Sequence, residues 1–357
     1  MNVLVVQRQS LVAGVNFSLS VHARIIEAMD WLRDQGMIEY ACCGESEDVI
    51  FAVLKWADAV IFNKHFSDRA IAIAHAAQKA GCVTLLDLDD LVTAFPSYSG
   101  GAAKGQNRFT EMIELMDCVT VSNARLLEAV RPLRPDCVLM PNGIYVEKYQ
   151  RPMREEHPPR CLITNADYLK MHFFKRDFIR LLQTFHQQHP RIAIDYFGDP
   201  FPEIASLPFI HFVGRKPYTD YLHCLAQTGY CFALVPLGGR EDAENARFNS
   251  CKNPFKLLNY AVTGIPAIYS EACIYSEAVE DGVTGLLVSN TFDAWMTAME
   301  RLLGDADLRQ LIRYNSYEEV RKKYHISTAA TLYYQLLNNK YATQQASQST
   351  LTLGRLP

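Results

Sequence analysis

Short apolar, β-branched runs recur along this chain, and longer stretches with helical spacing separate them. In the first part Val3–Val6, Ala59–Phe62, Cys82–Leu86, Val119–Val121 and Val138–Met140 read as strands. Helical spacing runs through Ile25, Ile26, Met29 and Trp31–Leu32, through Asp68–Ala80 up to Gly81, and through Ala124–Val130. Strands that are apolar on both faces must be covered on both faces, which is the condition of a parallel sheet built from βαβ units. The alternation pauses at Gln150–Arg160, a charged, Pro-rich segment without periodicity that reads as a linker. It then restarts. Cys161–Thr164, Ile192–Phe197, Ile210–Val213, Tyr230–Val235, Pro266–Tyr269 and Leu286–Val288 read as strands, with helices at Phe174–His186, Tyr218–Ala226 and Pro254–Thr263. Phe292–Leu303, Leu308–Tyr324 and Thr328–Leu337 follow as helices with no strand between them.

The expected fold is therefore α/β, with two doubly wound domains in tandem at residues 1–150 and 151–325. A helix at 326–343 is expected to return to the first domain, and the polar stretch 344–357 to form a disordered tail. A length of 357 residues suits two domains, since single cores rarely grow past ~250–300 residues. The net charge of −4 argues against an extended nucleic-acid surface. Ten cysteines include no C-x-x-C pair and most sit in apolar runs, the pattern of small buried hydrophobes in a reducing compartment. The N-terminus enters a strand without a basic leader, and no apolar run approaches the ~18 residues of a membrane span. A cytoplasmic location is expected. Peripheral contact with the inner face of a membrane is left open by the aromatic-basic stretch Met171–Arg176.

Three segments could carry chemistry. In Asn253–Pro266, Asn253 reads as an N-cap, Pro254 as the first helical residue and Gly264 as the left-handed stop. Lys256 and Asn259 share one face near the start of that helix, whose N-terminus suits a diphosphate. The second segment, Ser270–Gly285, leaves a strand at its carboxyl end, where doubly wound folds place ligands. Glu277 is its candidate functional group, and Asp281-Gly282 with Gly285 reads equally as a tight turn. The third, Leu86-Asp-Leu-Asp-Asp90, sets three carboxylates at a strand exit, suited to acid–base work or to a hard cation, and equally to plain capping. The loop Pro96–Asn107 after it has the composition of a cover over substrate. Gly14, Lys170, Lys175 and Arg176 are weaker candidates for approach to phosphate. No G-x-G-x-x-G, P-loop, H-E-x-x-H or G-x-S-x-G occurs.

Asn259–Pro266 and Glu277–Gly285 together resemble the donor domain of retaining GT-B glycosyltransferases of the family-4-like group. Thr120-Val-Ser-Asn and Met140-Pro-Asn-Gly-Ile144 resemble the last strands of that family's N-terminal domain. The resemblance spans roughly residues 1–325 and implies two Rossmann-like domains facing across a cleft, an acceptor domain and then a nucleotide-sugar donor domain. It implies that Glu277 contacts the donor sugar, that the amides around Cys273 and Ile274 cradle it, that Lys175 meets the diphosphate, and that Asn259 holds the nucleotide ribose, with Lys256 matching a variant of that motif; Lys170 and Tyr275 join the donor-binding candidates by position alone. The family's catalytic histidine has no counterpart here, and Asp87, Asp89 and Asp90 occupy that region instead, with Asp89 and Asp90 the candidates to orient the acceptor hydroxyl or accept its proton; the family's paired glutamates fall on Cys251 and Asn259. The implied activity is hexosyl transfer from a nucleotide-sugar to a glycan or lipid-linked acceptor, retaining, with no metal and no cofactor. A non-catalytic subunit of the same fold is the alternative that the missing glutamates favour. A nicotinamide dehydrogenase lacks its glycine fingerprint, and a sugar-nucleotide epimerase shares the architecture.

Overall fold

A computed structural model describes residues 1–8, 19–92, 106–149, 159–164, 174–237 and 243–353. The linker residues 150–158, the loop residues 96–105 and residues 171–173 of the aromatic-basic stretch lie outside the described residues. Two compact units make up the chain. The first gathers Met1–Tyr145, Cys251–Asn253 and Ile326–Pro357; the second gathers Val146–Ser250 and Pro254–His325.

The sheet of the first unit has six strands: β1 (Asn2–Gln7), β2 (Glu39–Gly44), β3 (Ala59–Asn63), β4 (Val83–Leu88), β5 (Cys118–Val121) and β6 (Val138–Leu139). They lie in the order β2-β1-β3-β4-β5-β6, and every neighbouring pair is parallel. β1, β3 and β4 are almost wholly buried, as their unbroken apolar runs require. β2 is a strand that the periodicity did not show. Its sequence Glu-Tyr-Ala-Cys-Cys-Gly lies at the sheet edge with only its last two residues buried, so it carries no buried-strand pattern.

In the second unit β7 (Arg160–Thr164), β8 (Ala193–Phe197), β9 (Ile210–Gly214), β10 (Phe232–Val235), β11 (Ala267–Ser270) and β12 (Leu286–Val288) form a parallel sheet ordered β12-β11-β10-β7-β8-β9. Both orders reverse direction once, between β1 and β3 and between β7 and β10. In open parallel sheets such reversals leave a crevice at the carboxyl ends, where ligands settle.

Helices cover the faces. In the second unit Phe178, Leu181, Leu182 and Phe185 of the helix Lys175–Gln188 and Trp295, Met299 and Leu302 of the helix Phe292–Gly304 bury against strand residues such as Ile163, Ile194 and Leu234. In the first unit Ile25, Met29 and Leu32 join Ile326, Ala329, Ala330, Tyr333 and Leu337 over Val3, Val5, Ile61 and Leu85. That second group belongs to the last helix, Ile326–Leu353. That helix continues to Leu353, into the stretch read from the sequence as a tail, and no Pro or Gly stands in the sequence before Gly354 to interrupt it.

Candidate functional site

The carboxyl end of the first sheet holds a buried polar network centred on Asp87, the penultimate residue of β4. Arg24 reaches it from a π-helical turn, His22–Ile26, that interrupts the helical residues 19–34. Arg24 Nε donates to Asp87 Oδ2 and Arg24 Nη2 to Oδ1, both at 2.7 Å. Thr120 Oγ1 (2.8 Å), Tyr333 Oη (3.0 Å) and Asn63 Nδ2 (3.1 Å) complete the shell of the carboxylate. Burial alone would raise the Asp87 carboxyl, but the Arg24 guanidinium and these donors hold it below the usual range. Every lone pair is engaged. Asp87 is therefore a support and no free ligand.

Asp89 and Asp90, the two sequence candidates in this unit, share the ammonium of Lys64. Lys64 Nζ lies 3.0 Å from Asp89 Oδ1 and 2.9 Å from Asp90 Oδ2. Lys64 also has φ +52°, and among the described residues no other non-glycine residue has a positive φ. A lysine held in the left-handed region costs free energy, and such strain concentrates at functional sites. Burial followed by the neighbouring Lys64 charge sets the Asp89 carboxyl, with burial prevailing, so it stands above the usual range. The magnesium reading of this acidic run meets an obstacle: Arg24, Lys64 and Lys252 already lie against its three carboxylates, Lys252 at 3.7 Å from Asp90.

Asn253 does not cap the following helix. Its side chain serves the first unit, donating to Asp89 O (2.8 Å) and accepting from Asn142 Nδ2 (2.9 Å). The helix itself runs Phe255–Thr263, with Pro254 ahead of its first turn and no side chain capping it. Gly264, at φ +69°, ends it as expected.

In the second unit this helix brings Lys256 Nζ onto the carbonyl of Thr164, the last residue of β7. That is the carboxyl end of a strand at the point of reversal. Asn259 is buried, and its Oδ1 accepts from Tyr218 Oη at 2.8 Å. Lys175 opens the helix Lys175–Gln188 and contacts Glu203 (2.5 Å) and the ring of Phe201 (5.0 Å). After β11 the short helix Cys273–Ser276 turns Ile274 and Tyr275 inward, with Tyr275 against Tyr269 (4.8 Å), and leaves Glu277 exposed. Cys273 Sγ lies 3.7 Å from Glu277 Oε1. Asp281–Gly285 forms a tight turn, closed by Gly282 N donating to Gly285 O and by Leu287 N donating to Asp281 Oδ1. Thus Lys256, Cys273 and Glu277 stand at carboxyl strand ends, while Ile274, Tyr275 and Asn259 line the interior. Gly14 and Lys170 lie outside the described residues.

Sequence reasoning missed Arg24, Glu45, Lys64 and His65. The last three follow β2 or β3 directly, so the strand-end argument applied to Asp87–Asp90 would have reached Lys64 and His65. Glu45 required knowledge of β2.

No known protein-family model matches the sequence, and no curated protein sequence is detectably related. Solved structures are similar over nearly the whole chain. HepE from Anabaena, in complex with UDP and glucose, superposes with a TM-score of 0.61 at 14% identity, over 95% of this chain and 100% of HepE. Sucrose-phosphate synthase from Thermosynechococcus elongatus gives 0.63 at 14% identity, over 96% of this chain and 99% of that one. A glycosyltransferase from Rickettsia africae gives 0.60 at 12% identity, over 95% and 98%. The fold is that of the GT-B glycosyltransferases.

Proposed function

We propose that this chain is a glycosyltransferase that moves a hexose from a nucleotide-sugar donor to a glycan or lipid-linked acceptor. The second unit is read as the donor side and the first as the acceptor side. The observation that carries the reading is Lys256, whose ammonium stands at the carboxyl end of β7, beside the reversal in strand order, at the head of an uncapped helix. That arrangement suits the diphosphate of a leaving nucleotide, whose charge a lysine and a helix N-terminus stabilise without help from a metal. HepE, of the same fold, is known in complex with UDP and with UDP-glucose. Retention of anomeric configuration is a part of the proposal that rests on the sequence resemblance; metal independence rests on the lysines and the helix N-terminus, and a cytoplasmic location on the scatter of cysteines in apolar runs. Among the described residues no helix is long and apolar enough to cross a membrane.

One observation favours the alternative, a non-catalytic subunit that binds a sugar nucleotide or a partner enzyme. Asn259 stands where the resembled family has a nucleotide-gripping glutamate, and here it faces inward to Tyr218. A thermal-shift screen of UDP-, GDP-, ADP-, dTDP- and CMP-sugars, with and without EDTA, tests the donor site. Stabilisation by one nucleotide family, unaffected by EDTA, supports it. Binding without turnover of that donor selects the subunit reading. No stabilisation by any of them sinks the donor site.

A further inference from the structure

We infer that Glu45, held in place by Ser67 and His65, is the carboxylate that receives a hydroxyl group of the acceptor sugar; the inference rests on the glycosyltransferase reading above. Glu45 follows β2 and His65 follows β3, so the two residues flank the carboxyl end of β1 at the strand-order reversal of the first sheet. Glu45 N donates to Gln7 O at the end of β1, which fixes its backbone. Ser67 caps the helix Asp68–Lys79, accepting from Ala70 N at 2.9 Å, and its hydroxyl donates to Glu45 Oε1. Oε2 is left facing His65 Nε2 at 3.6 Å, beyond hydrogen-bond range.

The imidazole decides what can happen there. His65 Nδ1 accepts from Asn63 N at 3.1 Å, so in the neutral ring the proton sits on Nε2. Burial and then the Arg8 charge push the His65 pKa down to about 3, which keeps the ring neutral. Nε2 is buried without a hydrogen-bond partner. A donor of this kind closes on the carboxylate once a ligand draws Glu45 into line, since such bonds often tighten only in the complex. The Glu45 side chain is 15% exposed, against 0% for His65, so Glu45 meets the ligand and His65 positions it from behind.

Charge selects the ligand class. Arg8 and Arg69 both act on the Glu45 carboxylate, and Arg69 Nε also donates to Glu45 O at 3.3 Å. A cationic ligand would meet two guanidinium groups and an anionic one the carboxylate itself. A neutral hydroxyl can donate to Oε2 without either conflict, as the hydroxyls of a sugar acceptor do.

The test uses the full chain with the nucleotide-sugar that stabilises it, and methyl α-glucoside, methyl α-mannoside and N-acetylglucosamine as acceptor probes. Nucleotide release that depends on a probe is expected to show KM for that probe raised about tenfold or more in Glu45→Gln, with donor-induced stabilisation unchanged. His65→Phe is expected to raise KM in the same way, and His65→Gln, which keeps an N–H donor, to recover most of the loss. Unchanged KM in Glu45→Gln overturns the inference, as does equal damage in His65→Phe and His65→Gln. If the wild type neither binds nor turns over any donor, the glycosyltransferase reading itself fails. The pair is then read from the ¹⁵N-labelled imidazole of His65 with the same three probes. A shift of the Nε2–H signal that Glu45→Gln abolishes upholds hydroxyl binding, and no shift with any probe, which leaves water alone at Glu45, overturns it.

Discussion

Arg24 and Asp87 meet through two hydrogen bonds of 2.7 Å, with both side chains almost completely excluded from water. Their sequence separation is 63 residues, and the pair ties the π-helical turn to the centre of the first sheet. Replacing either partner alone leaves an uncompensated buried charge, which typically costs 3–5 kcal/mol. Arg24→Met and Asp87→Asn should each lower the unfolding free energy extrapolated from urea titration by an amount in that range. A loss below ~1 kcal/mol in both would show that solvent reaches the pair.

Asp87 also makes stability depend on pH. Its folded pKa is lowered, so its contribution is fully present above the unfolded value and fades as pH falls through the folded one. Stability measured by urea unfolding should therefore decline below about pH 4, the ordinary aspartate range. Asp87→Asn should flatten that part of the profile.

His65 acts in a higher window. The folded ring has a pKa near 3 against an unfolded value of 6.5. The unfolded chain binds a proton first as pH falls, so stability should be level above pH 6.5 and drop between 6.5 and about 3. The limiting slope is about 1.4 kcal/mol per pH unit. His65→Gln should remove this slope, as unfolding free energies at pH 5 and pH 7 would show, while the further decline below about pH 4 that Asp87 contributes persists.

Gly285 has no room for a side chain. A Cβ there would come 2.8 Å from the Tyr269 ring and 3.0 Å from Val279. Both neighbours are buried, and Tyr269 in turn packs on Tyr275. Gly285→Ala should cost about 1–3 kcal/mol, the usual range for overpacking, and lower the melting temperature. An unchanged melting temperature would mean that the Tyr269 ring shifts freely.

The last helix belongs to the core of the first unit. Ile326, Ala330, Tyr333 and Leu337 are buried, and Tyr333 Oη donates to Asp87. Truncation after His325 should expose that apolar face and yield aggregated protein. Tyr333→Phe should cost about 1.5–3 kcal/mol, the net value of one hydrogen bond to a charged group. Soluble, cooperatively unfolding truncated protein would refute the first expectation.

Much of the fold was written in local pattern. Among the described residues, eleven of the twelve strands, the left-handed stop at Gly264 and the three final helices follow from periodicity and turn residues, because backbone geometry imposes period 2 or 3.6 on whatever must be buried. β2 escaped because an edge strand needs no such pattern. The site was less legible. Asp87, Asp89 and Asp90 were visible as acids at a strand exit, but only the fold shows that Arg24 and Lys64 are spent on them. Asn253 looked like a helix cap and instead hydrogen-bonds Asp89 and Asn142. Glu45 and His65 stand 20 residues apart and meet only because β2 and β3 lie on either side of β1. Sequence by itself determined most of the segments that become strands and helices, since a buried segment's pattern follows from neighbours along the chain. Tertiary structure alone decided which charges face one another, since that depends on strand order, which brings distant residues within a few ångströms.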